Sequence, residues 1–131
     1  MRRAMHDAER AFAAAVKRRD KICRIRDYSP CSGRLECSHF HTRGASQALM
    51  FYPYNAFAQC AEHHRQHHCS KNGGFYGEWL EDRFPDEAEW MRRHRADFVK
   101  YTDENLAEIA RLCEANDLDG LCCYIRGLLD G

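Results

Sequence analysis

The run Cys60-Ala61-Glu62-His63-His64-Arg65-Gln66-His67-His68 decides how this 131-residue chain is read, because it packs one thiol and four imidazoles into nine positions. So dense a set of sulfur and nitrogen donors points to metal. If the run is helical, His64 and His68 are four residues apart on one face, and His63 and His67 share a neighbouring face about 100° round. One short helix can then serve two ions. Cys60 and His63, at the spacing of a zinc knuckle, can close a tetrahedral site with Cys23 and Cys31, leaving His64 and His68 to project toward a groove. Structural zinc takes four protein ligands, whereas a catalytic ion keeps open positions. Upstream, the isolated Ser38-His39-Phe40 supplies a candidate base. The pattern reads as a metal-dependent enzyme.

On the N-terminal side of the run, Tyr28 to Gly33 is a turn-rich knuckle, and Leu35 and Cys37 then alternate with polar residues in a short strand that carries His39. Arg43-Gly44-Ala45-Ser46 reads as a loop, Pro53 to Asn55 as a turn, and a second extended segment reaches Cys60. Two short strands and a helix make a ββα unit organised around metal. Further back, Ala4, Ala8, Phe12, Ala15 and Arg19 stand at helical spacing, so a first helix over 4–20 delivers Cys23 to the core. On the other side, Lys71-Asn72-Gly73-Gly74 ends the His-rich helix. Phe75, Trp79, Leu80 and Phe84 mark a successor stopped by Pro85, and Trp90, Met91, His94 and Phe98 continue the helical pattern. Thr102 is the N-cap expected for a helix with Leu106, Ile109, Ala110 and Cys113 as its buried stripe, and Leu118 to Leu129 form a last helix. The aromatic residues read as core, and no repeat or low-complexity stretch is present.

A chain of this length makes one compact domain, whose modest core a structural metal would supplement. No apolar stretch approaches the roughly 20 residues needed to span a bilayer, and the Arg-rich N-terminus lacks the apolar segment of a signal peptide. The expectation is a soluble, cytoplasmic protein with no membrane partner. The chain has eight cysteines. Their clustering with histidines favours reduced thiols and zinc over disulfides, while Cys113, Cys122 and Cys123 read as small buried hydrophobes. Net charge is zero, but residues 1–26 carry nine Lys or Arg against three acids, and residues 101–131 carry two Arg against seven acids. The basic first helix, with Arg18 and Arg19 as contacts, suits a polyanion such as DNA. The acidic C-terminal helices read as a solvated face, with a protein partner as the alternative.

Leu35-Glu36-Cys37-Ser38-His39-Phe40, Thr42-Arg43-Gly44, Tyr54-Asn55-Ala56 and Gln59-Cys60-Ala61-Glu62-His63-His64-Arg65, ending at His68, resemble the phage-type HNH endonucleases, the lambdoid NinG or Rap recombination nucleases among them. The likeness runs from about Lys17 to Phe84. It implies an α+β fold: a small zinc-stabilised ββα-metal core with the basic N-terminal helix over 1–84, and a helical extension over 85–131 packed on that core. It also implies hydrolysis of DNA phosphodiester bonds in phage or prophage DNA processing or recombination, in the cytoplasm of a bacterial host. His39 matches the motif's general base and Asn55 its central asparagine, which braces the loop and orients the base. His64 and His68 match the ligands of a catalytic ion, Mg or Mn for turnover with Zn or Ni also accepted. Arg43 matches a phosphate contact. Cys23, Cys31, Cys60 and His63 match the structural zinc knuckle, with Cys37 an alternative to Cys23 or Cys31. Ser38 stands where the family often has a metal-ligating Asp or His, a place Glu36 or water would have to fill. A zinc-stabilised DNA-binding or recombination accessory module without cleavage is the competing reading. A purely structural zinc protein is the third. Cleavage of a branched junction would favour a homodimer, since two nicks need two sites.

Overall fold

The computed structural model describes residues 2–69 and 74–131, so the Lys71-Asn72-Gly73 part of the expected helix break lies outside the described residues. The first helix, α1 (Arg3–Asp20), buries Ala8, Phe12, Ala15 and Val16 along one stripe and places Lys17, Arg18 and Arg19 in its last turn, where cations complement the helix dipole. Lys21 ends it in the left-handed conformation (φ 67°), its N–H returning to the Lys17 carbonyl. After a series of turns come β1 (Leu35–His39) and β2 (Ala56–Cys60), joined through a single 3-10 turn at Pro53–Asn55. The two strands form an antiparallel ribbon in which Leu35 faces Cys60, Glu36 faces Gln59 and His39 faces Ala56. A two-stranded ribbon is marginal on its own, and here helices cover it.

The histidine run forms α2 (Ala61–Cys69), beginning where β2 ends. Next come α3 (Gly74–Arg83) and α4 (Pro85–His94). Pro85 sits in the first turn of α4, a position that needs no N–H, and so separates the two helices. The helical pattern expected to reach Phe98 stops at His94 instead. The Asp97 N–H returns to the His94 carbonyl and its carboxylate lies 2.6 Å from the His94 ring, and Phe98 is left 77% exposed. In α5 (Asp103–Glu114), Thr102 caps as expected and closes a reciprocal box with Asn105. Asp117 caps the last helix, α6 (Leu118–Asp130), through the Gly120 N–H.

The architecture is α+β. One buried cluster draws Phe12 from α1, Phe51 and Tyr52 from the inter-strand loop, Tyr76 from α3, Met91 from α4, Leu106 and Ile109 from α5, and Leu121 and Ile125 from α6. α5 lies along α1, held also by the Arg2 guanidinium on the Tyr101 carbonyl and by Arg18 on the Cys113 carbonyl and the Asn116 side chain. A smaller cluster of Cys23, Ile25 and Cys60 sits beside it under Leu35, Phe75 and Trp79. Cys113 is buried as expected, whereas Cys123 is exposed. Among the described residues, no helix is long and apolar enough to cross a membrane.

Candidate metal centre

The smaller cluster owes its position to four separate segments. Cys23 follows α1, Cys31 lies in the turn before β1, Cys60 closes β2, and His63 occupies the first turn of α2. Their donor atoms all lie within 4.8 Å of one another. His63 Nδ1 is 3.4 Å from the Cys23 sulfur, 3.8 Å from Cys31 and 3.2 Å from Cys60. A tetrahedral zinc with ordinary Zn–S and Zn–N lengths would set each of these at about 3.6 Å. The donor set and its spacing are those of a structural zinc site. Desolvation, followed by the neighbouring Cys60 and Cys23 thiols, pushes the Cys31 thiol up to about 11. Burial alone would raise Cys60 too, but the His63 and Ser32 N–H groups outweigh it and hold its thiol below the ordinary value. A cation among the three sulfurs would let all of them ligate as thiolates.

Ser29, a residue read from sequence only as part of a turn, lies with its hydroxyl 2.8 Å from His63 Nε2. With Nδ1 turned to the sulfurs, the Nε2 N–H donates to Ser29, which fixes the tautomer that ligation needs. Cys37, the alternative ligand, is not part of this group. It packs against the main core and lines a small pocket with Phe12 and His39, and burial pushes its thiol up to about 12.

The helical periodicity of α2 divides its histidines as the spacing predicts. His63 and His67 are buried, whereas His64 is half-buried and His68 exposed. The Nε2 atoms of His64 and His68 stand 2.9 Å apart, and His64 Nδ1 lies 2.9 Å from Glu36 Oε1 on β1. For two nitrogens bound cis at about 2.1 Å to an octahedral ion, the expected separation is about 3.0 Å. The imidazole pair thus fits two adjacent positions of one cation. Ser38, on the same strand, is fully buried and its hydroxyl has no hydrogen-bond partner among the described residues.

His39 ends β1 against Phe12, with ring centroids 5.7 Å apart, and has no hydrogen bond or ring contact with His64 or His68. Its Nε2 lies 2.9 Å from the Met50 carbonyl, so Nε2 carries the proton and Nδ1 is left as an acceptor. Burial, together with the cationic Arg43 and with His64, holds its pKa below the ordinary imidazole value, so the ring is neutral at pH 7. Fully buried Asn55 accepts from the His41 N–H and donates to the carbonyls of His41 and Leu49, which pins the chain just beyond His39. His67, which sequence reading left without a role, lies with Nε2 3.2 Å from the His39 carbonyl and so ties α2 to the end of β1. Its place four residues after His63 was the available signal.

The arginines singled out from sequence are engaged within the chain. Arg43 pairs with Glu9 at 2.9 Å, and Arg18 holds the C-terminal end of α5. Arg19 chelates Asp20 and also donates to the Pro53 and Ala56 carbonyls. Asp20 further accepts from Arg24 and from the Ala58 N–H, so one buried carboxylate fixes α1, the entry to the thiol cluster and β2 relative to one another. A groove runs past His68 between the inter-strand loop and α3 and α4, lined by Phe40, His41, His67, Arg92 and Arg95. Burial, then Arg95 and Arg92, lowers His41 to about 4. Comparison with family models, with curated proteins and with solved structures returns no match to this chain.

Proposed function

We propose that the protein is a metal-dependent endonuclease of the HNH kind that hydrolyses DNA phosphodiester bonds. The observation that carries this reading is the converging His64–His68 pair on the helix that follows β2, whose partner strand β1 ends in the neutral, single-tautomer imidazole of His39. His39 Nδ1 is the atom that takes the proton from an attacking water, while the Met50 carbonyl holds the ring in that tautomer. Asn55 and His67 keep the backbone at and just beyond the base in place, and the thiol cluster keeps α2 against the ribbon. A divalent ion on His64 and His68, Mg or Mn for turnover with Zn or Ni as occupants, would supply charge to the scissile phosphate and to the leaving 3′ oxygen. Arg43 reaches phosphate once its pairing with Glu9 is exchanged for the substrate.

The test is nicking of plasmid and of branched-junction DNA by the zinc-loaded protein with Mg, Mn, Ni or no added ion. His39→Ala is expected to lower the rate about 10²- to 10⁴-fold with zinc content unchanged. Equal cleavage by that variant overturns the assignment. Because burial holds the His39 pKa below the ordinary imidazole value, the acid limb of the rate profile should lie at lower pH than the titration of a free imidazole. Ser38, with its unpartnered hydroxyl where a ligand is expected, favours a second reading, a DNA-binding or recombination accessory module without turnover. Salt-sensitive binding with no cleavage under any of the ions would support it.

A further inference from the structure

We infer that Glu36 is the positioning residue of the His64–His68 cation site, acting through His64 rather than as a ligand. The inference rests on the reading of His64 and His68 as ligands. Glu36 Oε1 lies 2.9 Å from His64 Nδ1, and both side chains are largely shielded, at 32% and 22% exposed. A carboxylate accepts only, so Nδ1 carries the proton and the lone pair of His64 is on Nε2, the atom that faces His68 Nε2 at 2.9 Å. This is the carboxylate–histidine–metal arrangement, in which the outer carboxylate fixes the tautomer and raises the basicity of the ligand.

Glu36 is not one of the ligands here. Among the described residues only the thiol cluster brings three or more donors within 4.8 Å of one another, so Glu36 does not share a point with both imidazoles. Arg34 Nε, 3.8 Å from the other carboxylate oxygen, holds the side chain from its far side. The face of the ribbon that carries Glu36 also carries Ser38, two residues on, and Gln59, its cross-strand partner. Among the described residues, the Ser38 hydroxyl and both amide atoms of Gln59 are buried without hydrogen-bond partners. With two imidazoles fixed and no third His, Cys, Asp or Glu donor converging on them among the described residues, the remaining positions are left to water and to phosphate oxygens. That is the open coordination a hydrolytic ion needs.

The experiment uses the full chain with zinc in the thiol cluster, titrated with Ni²⁺ by calorimetry, with zinc content measured before and after. Glu36→Ala is expected to weaken Ni²⁺ binding about 10- to 100-fold. Glu36→Gln, which keeps the acceptor and loses the charge, should fall between it and wild type. Nitrogen chemical shifts of His64 in the Ni-free protein report the tautomer directly: Nδ1–H in wild type and a shift toward Nε2–H in a Glu36→Ala protein whose retained zinc and unchanged unfolding midpoint show that it is folded. Unaltered Ni²⁺ affinity in folded, zinc-loaded Glu36→Ala overturns the inference alone. A wild type that takes up no second cation overturns the ligand reading of His64 and His68 and this inference with it.

Discussion

Two donor sets meet on one nine-residue helix and differ in where their partners come from. The thiol set gathers Cys23, Cys31, Cys60 and His63 from four segments of chain, whereas His64 and His68 both belong to α2 and lean on a single strand residue, Glu36. An ion in the first set cross-links the path of the chain. An ion in the second set links nothing that the helix has not already joined. Histidines one and five positions apart on the same helix therefore belong to donor sets of different origin.

That contrast fails most visibly if the thiol set can be lost cheaply. Cys60→Ser should abolish stoichiometric zinc, because it removes both a ligand and the sulfur that accepts the His63 N–H. The cost is several kcal/mol and a fall in Tm on the order of 20 °C, measured by calorimetry beside elemental analysis. Next in size is Asp20→Asn, which leaves Arg19, Arg24 and the Ala58 N–H around a neutral amide and should cost about 3 kcal/mol in denaturant unfolding. Burial alone would raise the Asp20 carboxyl, but the Arg19 guanidinium, the Ala58 N–H and Arg24 outweigh it and hold it below its ordinary 3.8. A depressed folded value means that the stabilisation is complete above the unfolded value and is lost as pH falls through the folded one. Wild type should therefore lose stability below about pH 4, and the variant should lose less.

Ser29→Ala sharpens the comparison by removing an outer contact and no ligand. Zinc affinity should drop about tenfold in a chelator competition, with folding intact at saturating zinc. Smallest in stability, and sharpest for function, are His64→Ala and His68→Ala. His64 is half-buried and His68 exposed, and neither ties α2 to the thiol set, so unfolding midpoints should shift by less than about 1 kcal/mol while the second cation is lost. A large destabilisation by either would place these residues with the thiol set.

The sequence carried the helices and strands well wherever a local pattern sufficed. The stripe on α1, the alternation in β1, Thr102 as a cap and Pro85 as a divider are all short-range signals. It also carried the partition of the α2 histidines, since that depends only on helical period. What it could not carry was contact at a distance. Nothing local shows that Arg18 and Arg19 spend their donors on α5 and on the inter-strand turn, or that Glu9 meets Arg43. Phe98 fitted the helical period, but an Asp97–His94 closure ended the helix first. Ser29 and Glu36 are ordinary in sequence and gain meaning only when the fold sets them beside an imidazole.

The packing of α1 along α5 bears on the order in which the molecule can be completed. The apolar stripe of Ala8, Phe12, Ala15 and Val16 leaves the ribosome some ninety residues before much of its cover, Leu106 to Cys113. At about 5–20 residues per second that is a wait of several seconds with the stripe uncovered. During that interval the zinc ligands have all been made, since the last of them is His63. Metal capture can therefore precede closure of the main core, and a nascent chain stalled before α5 would hold its zinc while presenting a sticky helix to chaperones.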